Sequence, residues 1–205
     1  MSGPKVALLD SGSGNLHSAA RALQRAGAYV TVTAEAATIR RCERLVVPGV
    51  GAFSACMSAL TSIGGDELIH DWVDGGRPLL GICVGHQILF EQGTEHSITT
   101  AGLGIVPGTV TKLAAQRLPH MGWNTVLAAP GSRIFAGIGQ DRFYFVHSYA
   151  VAHTPAPGTS LTHHEGAQFV AAIEAGPVAA TQFHPEKSGA AGTQLLANWL
   201  GQVIG

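Results

Sequence analysis

Short apolar runs alternate with helically spaced apolar positions through the first hundred residues. VALLD (6–10) predicts a buried strand, SGSGN (11–15) a turn, and LHSAARALQRAG (16–27) a helix ending on Gly27. YVTVT (29–33) is β-branched and strand-like, and RLVVPGVG (44–51) predicts another strand, broken by Pro48 and two glycines. Helical spacing covers roughly 52–61 and 66–74. PLLGIC (78–83) then predicts a strand and VGHQILFEQG (84–93) a helix. Strand, helix and strand at these lengths imply βαβ units and a parallel sheet with helices on both faces.

After Gly102 the pattern changes. GIVPGTVTKL, WNTVLA, RFYFVHSYAVA, QFVAAIEA and PVAATQFH are successive strand candidates joined by Gly, Pro and Asn turns, and GTQLLANWLGQVI (192–204) predicts a closing amphipathic helix. There is no linker and no internal repeat. The expectation is a single domain, residues 4–205, of α/β class. It has three layers, an open and largely parallel sheet, and an antiparallel or mixed β section in its second half.

Composition adds little to this fold but narrows the function. Apolar residues are 46% of the chain, so it can fill a core, whereas charged residues are only 12%, about half the usual share. A genomic bias toward Ala and Gly and a partner-covered surface both fit that shortage. A net charge of −1 gives no electrostatic reason to expect nucleic acid or an anionic membrane as partner. No apolar run approaches the ~20 residues of a membrane span, and MSGPKVALLD has too short an apolar stretch for a signal peptide. A cytoplasmic protein is expected. Three cysteines, Cys42, Cys56 and Cys83, stand at unrelated spacings that suit neither a disulfide framework nor a zinc motif. No metal and no cofactor are expected.

Ligand sites in open α/β sheets lie at the carboxyl ends of strands. PGVG (48–51), GICVG (81–85) and QFHPE (182–186) all fall at predicted strand ends. GICVG has the form of a nucleophile elbow, in which small neighbours permit a tight strand-to-helix turn. At a helix N-terminus, free N–H groups and the dipole favour a thiolate. A lone cysteine in an apolar strand is more often core filler, and Cys42 and Cys56 are read that way. A thiol nucleophile needs a base, and the base an orienting group. His184 ends an apolar strand; in an extended His-Pro-Glu segment residues two apart face the same way, which brings Glu186 to its imidazole. A surface turn holding a His and a Glu is the bland alternative. PGVG and the N–H of Val84 suit an oxyanion hole. His163 and His164 with Glu165 read as a solvated turn, and His17, His70, His96 and His153 as surface residues.

Cys83 in GICVGHQ, His184 and Glu186 in QFHPEKS and the PGVG turn together resemble the class I, triad-type glutamine amidotransferases. Within that family the chain is most similar to the glutaminase subunits of imidazole glycerol phosphate synthases. D-x-G-x-G-N-L (10–16), VVPGVGAF (46–53), GLGIVPGTV (102–110), PHMGWN (119–124) and FYFVHSY (143–149) carry this closer resemblance, which runs over nearly the whole chain. It implies a class I amidotransferase fold and hydrolysis of glutamine through a cysteinyl thioester. The ammonia would pass to a (β/α)8 cyclase subunit docked as a heterodimer. It further implies an oxyanion hole at Val50, Gly51 and Val84, and a peptide flip at Val50–Gly51 as the switch that completes it. Glutamine contacts would come from Gln87, Glu95, Ser148 and Tyr149. A cyclase interface would include Asn15, Met121, Trp123, Tyr144 and Lys187. Relatives commonly carry an apolar residue where this chain has His86. The glutaminase subunit of pyridoxal 5′-phosphate synthase, a γ-glutamyl hydrolase or peptidase, and a non-catalytic scaffold of this fold are the competing readings. The first does not account for PHMGWN or FVHSY, hydrolases need no cyclase face, and the intact Cys/His/Glu set argues against a scaffold.

Overall fold

A computed structural model describes residues 3–12 and 15–201. Ser13 and Gly14 of the predicted first turn, and residues 202–205 at the end of the expected domain and of the predicted last helix, lie outside the described residues. The first half runs β1 (Lys5–Leu9), α1 (Leu16–Arg25), β2 (Tyr29–Thr33), α2 (Ala36–Arg40), β3 (Arg44–Gly49), α3 (Phe53–Ser62), α4 (Gly65–Asp74), β4 (Leu79–Cys83) and α5 (Val84–Gln87). The second half supplies β5 (Phe90–Glu95), β6 (Ile98–Ala101), β7 (Val106–Lys112), β8 (His120–Thr125), β9 (Arg142–His147), β10 (Tyr149–Val151), β11 (Thr159–His164), β12 (Ala167–Ala175) and β13 (Val178–Thr181). A 3₁₀ turn, Pro185–Lys187, then leads into α6 (Gly189–Gly201).

Seven strands form the main sheet in the order β11-β12-β13-β4-β3-β1-β2. From β13 to β2 neighbouring strands are parallel, whereas β11 and β12 extend the sheet antiparallel. Every residue of β4 and β13 is buried, which requires cover on both faces and explains why these strands read as unbroken apolar runs. The register sets Gly49, at the end of β3, opposite Cys83, at the end of β4. β13 runs beside β4 and continues into Gln182–His184. The carboxyl ends of three adjacent central strands thus meet.

A second sheet, β10-β7-β5-β6, and the two-stranded ribbon β8-β9 complete the β section. Aromatic packing joins the ribbon to the main sheet. Phe143 of β9 lies 4.4 Å, ring to ring, from Phe183, and Phe145 lies 5.4 Å from it. All three rings are fully buried, each contributing on the order of 2 kcal/mol, and Phe183 is the residue before His184.

Four local expectations are corrected. The helix predicted over 84–93 stops at Gln87, and Phe90 already begins β5, whose strand pairs with β6 and β7 replace helix hydrogen bonds. RFYFVHSYAVA is not one strand: it divides at Ser148 into β9, which pairs with β8, and β10, which pairs with β7. The strand predicted within WNTVLA lies earlier, over His120–Thr125. His163 and His164 are not in a turn but end β11, paired with Gln168 and Ala167.

Candidate active site

The elbow is built by close packing. A Cβ on Gly85 would stand 1.9 Å from the Val47 carbonyl oxygen, and one on Gly81 2.7 Å from that of Gly85, so the chain can fold back on itself only with glycine at both positions. Cys83 between them takes φ 57°, ψ −111°, a sparsely populated conformation for a residue with a side chain. Because α5 is a single turn, its dipole is small, and the expected help from a helix N-terminus shrinks to the local N–H groups.

His184 is fixed by its own backbone. Its N–H donates to the Tyr144 carbonyl (2.9 Å), while the Ser188 hydroxyl donates to the His184 carbonyl (2.7 Å) and accepts from the Tyr144 N–H (3.0 Å). The segment that follows is not extended. Pro185–Lys187 forms a 3₁₀ turn, and this turn brings Glu186 Oε1 to 2.8 Å from His184 Nδ1. Burial alone would depress the His184 pKa; hydrogen bonds from the imidazole to Cys83 and Glu186, with their charges, outweigh it and raise the value to about 9. At neutral pH an imidazolium therefore stands beside the sulfur, the charge partner that a thiolate needs.

These groups open onto a cavity of about 260 Å³. Cys83, Val84, His184, Val50 and Gly51 line it together with Gln87, Glu95, Val146, His147, Ser148, Tyr149 and Lys187. Sequence positions almost 140 residues apart thus share one pocket. Gln87 Nε2 donates to the Tyr149 carbonyl (2.8 Å) and to Gln182 Oε1 (2.9 Å), and Glu95 Oε2 accepts from the Phe53 N–H (3.0 Å).

Three residues escaped the reading of the sequence. Gln182 is fully buried with its Nε2 4.0 Å from Cys83 Sγ; the signal was an amide at the end of an apolar strand, inside the QFHPE stretch itself. His147 lines the pocket from FVHSY, and Ser188 clamps the His184 segment.

Met121 and Trp123 alternate on the outer face of β8, 62% and 54% exposed. Trp123 meets the half-buried Tyr144 ring edge-on at 6.1 Å, and Lys187 Nζ lies 6.0 Å from that ring, so these three form a strip beside the pocket, with Met121 on the same face of β8 as Trp123. Asn15 is separate: its Oδ1 accepts from the Ser18 N–H (3.3 Å) and caps α1, which accounts for an asparagine there. His86 is wholly buried with its ring edge-on to Phe90 at 5.1 Å. Neither ring nitrogen has a hydrogen-bond partner among the described residues, and burial lowers its pKa to about 3. Cys42 and Cys56 are buried away from this pocket, and His17, His70, His96 and His153 are exposed. Among the described residues there is no cluster able to hold a metal ion and no helix long and apolar enough to cross a membrane.

Known proteins resemble this chain in sequence and in fold. The profile of the family described as "Glutamine amidotransferase class-I" matches residues 7–203. The chain is 55% identical to "Imidazole glycerol phosphate synthase subunit HisH" of Cutibacterium acnes, covering 99% of this chain and 100% of that one. It is 56% identical to the protein of the same name from Corynebacterium diphtheriae, covering 96% and 98%. Among solved structures, a protein described as a glutamine amidotransferase is similar with a TM-score of 0.69 at 19% identity, over 94% of this chain and 98% of that one. PurLQS from Thermotoga maritima is similar with a TM-score of 0.73 at 16% identity, over 97% and 98%. These two speak to the fold alone. With a strained cysteine, a buried His–Glu pair and a matching profile over almost its whole length, the chain belongs to the class I glutamine amidotransferase family.

Proposed function

We propose that this chain is the glutaminase subunit of an imidazole glycerol phosphate synthase, a cytoplasmic enzyme of histidine biosynthesis. The observation that carries the reading is a pocket lined by Cys83 and by His184, itself bonded to Glu186, in a chain 55% identical, end to end, to a HisH subunit. Glutamine lies with its amide carbon beside Cys83, held by Gln87, Glu95, Ser148 and Tyr149. The thiolate attacks that carbon, and the oxyanion is stabilised by N–H groups around Val50, Gly51 and Val84. The His184 imidazolium gives its proton to the departing nitrogen, which leaves as ammonia. His184, now neutral, takes a proton from water, whose oxygen attacks the thioester and releases glutamate. Glu186 holds the imidazole in orientation and balances its charge throughout.

Ammonia protonated in bulk water loses the lone pair that a synthase uses. Direct delivery to a docked (β/α)8 cyclase avoids this, and the strip of Met121, Trp123, Tyr144 and Lys187, with Asn15, is the proposed face of that heterodimer. Gly51, at φ 86°, provides the backbone freedom for a peptide flip with Val50 when the cyclase binds its own ligand. The test is Cys83→Ala in the complex with the cyclase. Glutamine-dependent synthesis should vanish while synthesis from added ammonium salts persists. Retention of the glutamine reaction would refute the assignment.

A further inference from the structure

We infer that His120 and His147 are positioning residues for glutamine, a hydrogen-bonded pair that ties β8 to the Tyr149–Gln87 wall of the pocket. The inference rests on the glutaminase reading above. His147 Nδ1 lies 3.0 Å from the Tyr149 carbonyl oxygen. A carbonyl only accepts, so Nδ1 carries the hydrogen and Nε2 of the neutral ring must accept. His120 Nδ1 stands 3.1 Å from that Nε2 and is therefore a donor, which leaves His120 Nε2 as an acceptor. The group facing it, at 3.4 Å, is Asn124 Nδ2. The orientation of that amide is independently set, because Nδ2 donates to the His163 carbonyl (2.8 Å) and Oδ1 accepts from the Thr125 N–H (2.9 Å).

Both tautomers are thus determined, and every donor points the same way, from Asn124 on β8 toward the pocket. The chain ends on the Tyr149 carbonyl, which also takes the Gln87 hydrogen bond. Gln87 in turn donates to Gln182, whose amide faces Cys83 Sγ. A continuous polar path therefore joins a residue flanked by Trp123 to the sulfur. Burial suits this arrangement. It lowers the His120 pKa to about 4, helped by His164, and that of His147 to about 3, helped by His120, so both rings remain neutral acceptors at physiological pH. The rings also pack, with His120 stacked between His164 (4.2 Å) and Phe145 (4.9 Å). Packing alone, though, would be served as well by phenylalanine.

The deciding experiment compares wild type, His120→Phe and His120→Asn, each assayed for glutamine hydrolysis in complex with the cyclase. Two-bond ¹H–¹⁵N spectra of the histidine rings are recorded alongside. Phenylalanine keeps the stack and removes the donor to His147; asparagine keeps a donor at nearly the Nδ1 position. Expected is a rise of about tenfold in the glutamine KM for His120→Phe with kcat within about threefold, and a KM near wild type for His120→Asn. The wild-type spectra should show both rings as Nδ1–H tautomers. Hydrolysis by wild type with KM unmoved in His120→Phe, or an Nε2–H tautomer at His147, overturns the positioning role alone. A wild-type complex that does not hydrolyse glutamine overturns the glutaminase reading and the positioning role with it. The spectra need only the wild-type chain, so failure of a variant to fold does not shield the inference.

Discussion

His184, beyond the end of β13, and His86, in the turn after Cys83, are both almost fully withdrawn from solvent. One is driven to a pKa of about 9, the other to about 3. Burial acts the same way on each, so the partners make the difference. His184 faces Cys83 and a carboxylate 2.8 Å away, whereas neither nitrogen of His86 has a partner among the described residues. Burial thus neutralises an isolated imidazole and, where counter-charges are supplied, fails to prevent one that rests charged at neutral pH.

Activity should separate the two histidines most widely. His184→Ala is expected to lower kcat for glutamine hydrolysis by about 10⁴-fold, because the proton donor and acceptor of the proposed mechanism are both lost, while His86→Met stays within about threefold of wild type. Steady-state assays settle this, and equal losses at the two positions would erase the distinction. Glu186→Gln comes next, with an expected loss of about 10²–10⁴-fold. Its kcat/KM profile should also lose its alkaline side at lower pH than wild type, since one of the groups holding His184 protonated is gone.

Stability should depend on pH in opposite windows for the two. The folded pKa of His184 lies above its ordinary 6.5, so its contribution is complete below that pH and is lost as pH rises through about 9. The folded pKa of His86 lies below 6.5, so its contribution is complete above that value and is lost as pH falls toward about 3. His120 and His147 add to this acid side. Denaturant titrations should give an acid-side slope shallower in His86→Met by about 1.4 kcal/mol per pH unit well inside that window, and an alkaline decline absent from His184→Ala. The smallest effect is thermal. Exchanging an unpartnered buried imidazole for an apolar side chain should raise the melting temperature of His86→Met at pH 7 by about 2–4 °C.

The parts of the site that the sequence disclosed are those with local causes. Gly81, Cys83 and Gly85 advertise an elbow because steric exclusion acts between near neighbours, and the apolar runs of β3, β4 and β13 reveal a sheet covered on both faces. The stretch after Cys83 misled because Val84, Ile88 and Leu89 keep helical spacing, although pairing with β6 and β7 draws the chain into a strand from Phe90. β11 was hidden for a different reason: its buried positions are Ser160 and Thr162, so its apolar alternation is inverted. Their hydroxyls are buried because they bond to backbone, Ser160 accepting from Ala129 N–H and Thr162 donating to the Thr125 carbonyl. Gln182 and the His120–His147 pair depend on contacts across 99 and 27 residues, which no local period encodes.

The backbone at Cys83 has one more consequence. A side chain held at φ 57°, ψ −111° costs the fold about 1–3 kcal/mol that glycine would not. Stability and chemistry therefore pull this position in opposite directions. On the proposed mechanism, a descendant of this gene freed from making ammonia would grow more robust by drifting to glycine there, and selection for the reaction is what keeps a sulfur at the bend.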